Sequence, residues 1–226
     1  MASPPPRSRY PSRRSTTPGF SLGETYTYQI RGEDGSGQTI TTSNSLSGTT
    51  LPVVSAYAKT LTESSANWQR YTLVQRIEAA HINVTGPHVR ITMQASLSSD
   101  AWIDRGYISQ AAAAGKPYDS AGALTKVYDV ADAQQPFMVP MGTMARLPVV
   151  RYALNNFQAL IIAIDLSATP NSGIASATVP ASEASAYYLV TPQGEAAVAV
   201  RSPNYAGGVD TNGNSFVLFV TNVEVG

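Results

Sequence analysis

The stretch His88–Leu97, HVRITMQASL, predicts a β-strand, and the fold is read outward from it. Val89, Ile91, Met93, Ala95 and Leu97 occupy every second position, so an extended chain puts them on one face and Arg90, Thr92 and Gln94 on the other. Gly86-Pro87 supplies a turn ahead of it, and YTLVQRIEAAHINVT (residues 71–85) is long enough for one strand or a bent pair. Upstream, Tyr26, Tyr28 and Ile30 alternate in TYTYQI, and Thr39–Thr42 is β-branched throughout. Downstream, Phe137–Val139, Leu147–Tyr152, Phe157–Leu166, Ala186–Val190, Ala196–Val200 and Ser215–Val225 read as strands between Gly, Pro, Asn, Asp and Ser clusters. That spacing predicts an all-β protein, an eight-stranded antiparallel jelly-roll sandwich whose core includes Val89, Ile91, Met93, Leu160, Ile162 and Phe219.

Two segments depart from the β pattern. Ser109–Gly115 contains AAAA, and Ser120–Ala131 places Leu124, Val127 and Tyr128 at helical spacing behind a Ser120 cap. A short helix in a crossover loop is expected. No fixed period recurs, which excludes solenoids and propellers.

The charges are unevenly distributed. The 226-residue chain carries 15 Lys or Arg and 15 Asp or Glu, yet residues 1–23 hold Arg7, Arg9, Arg13 and Arg14 and no carboxylate. That segment, rich in Pro, Ser and Thr, is too poor in apolar groups to offset its ordering entropy. The reading is therefore a disordered basic arm (1–23) and one shell domain (24–226).

Other classes are disfavoured. There is no Cys, so disulfides, thiol nucleophiles and Cys-ligated metals are excluded, which suits a reducing cytosol. No signal peptide is evident at the N-terminus, and the apolar run Leu160–Leu166 is interrupted by Asp165, so neither secretion nor a membrane partner is expected. Asn83-Val84-Thr85 matches a glycosylation acceptor that would go unused without a secretory route.

Catalytic groups are scarce. His81 and His88 could approach one another on adjacent strands, but two imidazoles without a third ligand make a poor zinc site. No G-x-S-x-G, H-E-x-x-H, Walker or dinucleotide motif occurs, and no enzymatic activity is expected. Asp100 with Asp104, and Asp129 with Asp132, are loop pairs of the kind that bind calcium, although most such pairs are simply solvated, and no cofactor is expected. The arm carries the stronger chemistry. Arg outnumbers Lys 12 to 3, guanidinium forks suit phosphate, and Tyr10 among the arm arginines can stack on an unpaired base.

From Tyr71 onward the order of elements resembles the shell domain of small plant RNA virus coat proteins of the tombusvirus, sobemovirus and tymovirus groups. YTLVQRIEAAHINVTGPHVRITMQASLSSDA resembles a strand pair ending at an Asp-containing loop. PFMVPMGTMARLPVVRYALNNFQALIIAID resembles the following section, a Pro- and Met-rich strand leading to an apolar one, and NSFVLFVTNVEVG resembles the closing strand with its acidic position near Glu224. Length and short arm are most similar to the ourmiavirus coat proteins. The resemblance implies a jelly roll that self-assembles into a many-subunit capsid and packages viral single-stranded RNA through Arg7, Arg9, Tyr10, Arg13 and Arg14, residing in the virion and, before assembly, in the host cytoplasm. The alternative is a lectin-like carbohydrate-binding sandwich using Trp102, Tyr107 and Tyr118 to stack on sugar.

Overall fold

The protein is described by a computed structural model covering residues 25–29, 31–49, 52–190 and 194–226. The chain divides into two compact units, one up to Pro52 and one from Val53 to Gly226. The sequence reading drew its boundary earlier, between 23 and 24. In the first unit β1 (Thr25–Tyr28), β2 (Arg31–Glu33), β3 (Thr39–Thr42) and β4 (Leu46–Thr49) form two two-stranded antiparallel sheets, β1 pairing with β4 and β2 with β3 across a turn. Its turn is fixed by Asp34, whose Oδ1 accepts from the amides of Ser36 and Gln38, both at 2.9 Å. Ile40 and Leu46 are exposed.

Among its described residues the second unit is all-β apart from one helical turn and two short 3-10 turns. Its strands are β5 (Val54–Ala58), β6 (Glu63–Ser65), β7 (Thr72–Ile77), β8 (Gly86–Gln94), β9 (Ala101–Gln110), β10 (Thr125–Asp129), β11 (Phe137–Val139), β12 (Met144–Arg146) and β13 (Val150–Leu154), followed by β14 (Leu160–Leu166), β15 (Ile174–Pro180), β16 (Ala184–Leu189), β17 (Ala206–Gly207), β18 (Asn214–Leu218) and β19 (Val220–Val225). A five-stranded sheet runs β12-β8-β19-β5, with β13 also on β8; a seven-stranded sheet runs β10-β9-β14-β7-β16-β17, with β11 also on β9; β18-β15-β6 make a third.

Nine of these elements nest in antiparallel pairings, β12 and β13 following one another along β8. β5 pairs with β19, β7 with β14, β8 with β12 and β13, and β9 with β10, so the first partner is matched with the last, the second with the next to last, and so on inward. This is the order of a β-hairpin rolled into two sheets, the jelly-roll arrangement. The sheets exceed the expected eight strands. Between β14 and β19 the chain inserts β15–β18, of which β16 and β17 extend the seven-stranded sheet beyond β7.

One apolar cluster joins the sheets, with Val89, Ile91, Met93 and Val223 from the smaller packing with Leu73, Ile103, Leu160 and Ile162 from the larger. All six core residues named from the sequence lie in it. The alternation in β8 is cleaner in sequence than in burial, because Arg90 and Thr92 on the opposite face are also buried. Strand β8 stops at Gln94; Ala95 makes one bridge to Ile174, and Leu97 is 67% exposed on the following turn.

Other local expectations are corrected. Ser109 and Gln110 belong to β9, and Thr125–Asp129 is strand because Thr125, Lys126, Tyr128 and Asp129 pair along β9, with a bulge at Val127. The helix, α1 (Val130–Ala133), is a single turn starting after Asp129, whose side chain caps it by accepting from the Ala131 amide at 2.9 Å. Ala196–Val200 is not a strand; a 3-10 turn, Glu195–Ala197, leads into loop. Ser215–Val225 is broken at Phe219, where φ of +66° turns the chain from β18 into β19. That left-handed conformation is unfavourable for an aromatic residue and is held by complete burial of its ring and by hydrogen bonds at both backbone groups, to Ala175 and Gln94.

Ile91→Ala should lower the free energy of unfolding by about 2–5 kcal/mol. Val54→Ala, on the exposed edge of β5, should change it by less than about 0.5 kcal/mol. Urea titration of the two variants checks this, and equal losses would mean that the Ile91 face is not the core.

Candidate functional site

Arg7, Arg9, Tyr10, Arg13 and Arg14 lie outside the described residues. The arginines further along the chain separate by environment. Arg31 pairs with Glu33 at 3.2 Å, and Arg70 is exposed beside a cavity of about 510 Å³ with its backbone at φ +66°. Arg201 is 2% exposed and cannot reach a polyanion.

The outer face of the five-stranded sheet gathers cations. Register places Glu224 opposite Arg90, Asn222 opposite Thr92, Arg146 opposite Thr92 and Arg151 opposite His88. Glu224, 6% exposed, accepts from Arg90 Nε at 2.7 Å and faces Arg146 Nη2 at 3.5 Å. The acidic residue of the closing strand is therefore an ion-pair anchor for two arginines. Nearby, Lys59 binds Glu183 at 3.0 Å, and Lys59, Thr60, Thr92, Arg146, Thr221 and Asn222 surround a shallow cavity of about 320 Å³. Arg146 is 61% exposed at its side chain and Arg151 is exposed, so this face offers two solvent-facing guanidinium groups with hydroxyl and amide groups nearby. Such a surface can hold phosphate oxygens without reading bases.

The opposite side of the molecule, outside the seven-stranded sheet, contains a buried polar cluster. The segment from Gly194 crosses the back of β14 and is tied down by Arg201, which donates from Nε to the Glu195 carbonyl at 3.2 Å and from Nη1 to the Tyr118 carbonyl and to Ser120 Oγ. Asp119 Oδ1 accepts from the Arg201 amide at 2.9 Å. Asp165, near the end of β14, accepts at Oδ1 from Thr72 Oγ1 at 2.5 Å and from the Ala196 amide at 3.2 Å. Its Oδ2 has no hydrogen bond among the described residues and lies 3.9 Å from Arg105 Nη1, across a cavity of about 200 Å³ lined by Asp104, Arg105, Val130, Asp165 and Gly194. Burial raises the pKa of both Asp165 and Asp104; hydrogen bonds from Thr72 and Ser167, respectively, oppose the rise.

The four acids singled out from sequence have assigned partners. Asp100 accepts from the Met141 amide at 2.7 Å, Asp104 lies in the cavity, Asp129 caps α1 and accepts from Tyr107 at 3.2 Å, and Asp132 pairs with Lys126 at 2.6 Å. Among the described residues, no group of three or more His, Cys, Asp or Glu could hold a metal ion. His81 closes a 3-10 turn instead of sitting on a strand, while His88 is on β8. Tyr118 is buried, stacked on Tyr205 at 4.6 Å and tilted against Tyr187 at 5.1 Å, so it cannot serve a sugar platform; Trp102 and Tyr107 are half-buried.

The sequence marks Asp165 only as a break in an apolar run and gives no sign of Asp119 and Glu195. A carboxylate inside an otherwise apolar strand was the usable signal, because such a group requires donors brought from elsewhere in the chain. No family model matches the sequence, and no curated protein is significantly similar to it.

Because Asp165 titrates above its ordinary 3.8 in the folded chain, the unfolded chain loses this proton first. Its contribution to stability is fully present below 3.8 and is lost as pH rises through the folded value. Relative to Asp165→Asn, which keeps an oxygen acceptor, the wild type should therefore lose stability across that interval. Urea unfolding at a series of pH values tests it; parallel profiles would show that Asp165 does not titrate there.

Proposed function

We propose that this chain is the coat protein of a small RNA virus, assembling in many copies into a shell and packaging single-stranded RNA through Arg7, Arg9, Arg13 and Arg14, with Tyr10 stacking on bases. The observation that carries the reading is the segregation of charge onto a jelly roll. Residues 1–23 hold four arginines and no acid, while residues 53–226 hold ten Lys or Arg against twelve Asp or Glu.

A jelly roll alone does not discriminate, since the architecture serves capsids and lectins alike. The lectin alternative rested on three aromatics, and it is weakened by the burial of Tyr118. An all-cationic segment has no role in sugar stacking but suits phosphate, and its weak binding per chain becomes strong when many copies face one enclosed polymer. Exposed Arg146 and Arg151 on the five-stranded sheet would add backbone contacts of the same sequence-independent kind. Such a protein would reside in the virion and, before assembly, in the host cytoplasm. Among the described residues no helix is long and apolar enough to cross a membrane.

Replacing Arg7, Arg9, Arg13 and Arg14 together with Gln should leave folding intact, weaken RNA binding and flatten the log–log salt dependence by about 3. Four lysines at the same positions should retain most of that slope with lower affinity. Filter binding across salt concentrations, with electron microscopy of the purified protein for closed shells, decides the matter. Wild-type packaging by the Gln variant would move the genome contact to another surface, and the absence of any assembly would remove the coat-protein reading.

A further inference from the structure

The cavity of about 510 Å³ beside Arg70 is walled by Asn67, Gln69, Arg70 and Tyr71 on one segment and by Pro170 and Val190 from two others. Its volume falls in the range of about 300–1,000 Å³ usual for small-molecule sites. The other polar cavities are already committed within the fold. The one beside Asp165 carries two carboxylates, and at the one beside Arg146 the cations Lys59 and Arg146 are engaged by Glu183 and Glu224. Among the described residues the wall at Arg70 holds no acid, only a guanidinium and two side-chain amides, and the exposed Arg70 side chain has neither an ion pair nor a hydrogen bond.

The segment is held in an unfavourable conformation. Asn67 and Arg70 have φ of +67° and +66°, a region that Asn tolerates and Arg rarely adopts. Three backbone hydrogen bonds keep it there: the Trp68 amide donates to the Ser172 carbonyl at 2.8 Å, the Arg70 amide to Ser167 at 3.0 Å and the Tyr71 amide to Trp68 at 3.3 Å. The Trp68 ring packs against both Tyr71, at 4.9 Å, and Tyr188, at 5.3 Å. This wall is therefore rigid before any ligand arrives. Glycine would fit position 70 with less strain, and what arginine adds there is a cation beside the cavity.

A guanidinium neighboured by amides binds an oxyanion, and phosphate matches its fork. The rest of the wall, Tyr71, Pro170 and Val190, offers ring and apolar surface of the kind on which any nucleobase can lie. We propose that this cavity binds a nucleotide, its phosphate on Arg70 with the amides of Asn67 and Gln69 and its base against Tyr71 and Pro170. A free nucleotide and one nucleotide of a single strand present the same chemistry. The site requires neither shell assembly nor the arginines of residues 1–23, so it stands or falls apart from the coat-protein reading.

The test is isothermal titration calorimetry of the full-length chain with adenosine 5′-monophosphate, adenosine and inorganic phosphate. The nucleotide should bind one to one and at least about tenfold tighter than either half, because the charged and the apolar parts of the wall both contribute. Arg70→Gly should leave the urea midpoint unchanged or raised, since glycine accepts the positive φ, while weakening nucleotide binding at least about tenfold through lost charged hydrogen bonds. Val190→Glu, at a site 50% exposed, should spare the fold and weaken binding in the same direction by adding a carboxylate to the wall. No nucleotide binding by the wild type, or wild-type affinity in Arg70→Gly, overturns the proposal. So does inorganic phosphate binding as tightly as the nucleotide, since the apolar wall would then contribute nothing. Should the midpoint of Arg70→Gly fall instead, Val190→Glu decides, and wild-type affinity there is equally fatal. A short oligoadenylate, titrated into a chain with Arg7, Arg9, Arg13 and Arg14 all replaced by Gln, separates the two sources. Strand binding that a further Arg70→Gly removes assigns the site to RNA, and nucleotide binding without strand binding assigns it to a free nucleotide.

Discussion

The burial of β14 on both faces is the constraint on which the second unit depends. All seven residues from Leu160 to Leu166 are buried, hydrogen-bonded to β7 on one side and β9 on the other. Leu160, Ile162 and Ile164 enter the core between the sheets, while Ile161 and Ala163 pack on the other face with Val74, Tyr118, Tyr187 and Ala196. A sandwich needs only the first of these layers. The second requires a cover, which the segment carrying Ala196 supplies, and that cover needs its own anchor. Arg201 fills this role: its guanidinium satisfies carbonyls of Tyr118 and Glu195 that would otherwise be buried without partners. Asp165 then supplies the acceptor for Ala196, so one strand holds both the apolar layer and the polar clasp across it.

The legible part of the sequence follows from this arrangement. Period two in Val89, Ile91 and Met93, and a continuous apolar run at 160–166, each report a local backbone state and its degree of burial, and both were readable residue by residue. What escaped the reading is non-local. Nothing near Arg201 in sequence indicates that its partners stand at 118–120, and nothing near Phe219 indicates that a strand-like run is broken by a positive φ imposed from two neighbouring strands. The AAAA run and the helical spacing of Leu124, Val127 and Tyr128 misled because helix propensity is a weak local preference, whereas β9 offers β10 antiparallel partners on both sides of a bulge. Among the site residues, the arm's charge was legible from composition, while the burial of Tyr118 depends on tyrosines 69 and 87 positions away.

Charge follows a similar division between paired and unpaired groups. Arg90, Lys59 and Arg76 are engaged with Glu224, Glu183 and Glu78 at 2.7, 3.0 and 2.5 Å, so they contribute little field to the solvent. Lys126 is likewise matched by Asp132. Arg146 keeps 61% of its side chain exposed although it faces Glu224 at 3.5 Å, and Arg151 on the same sheet is exposed, so these two guanidinium groups remain within reach of solvent anions.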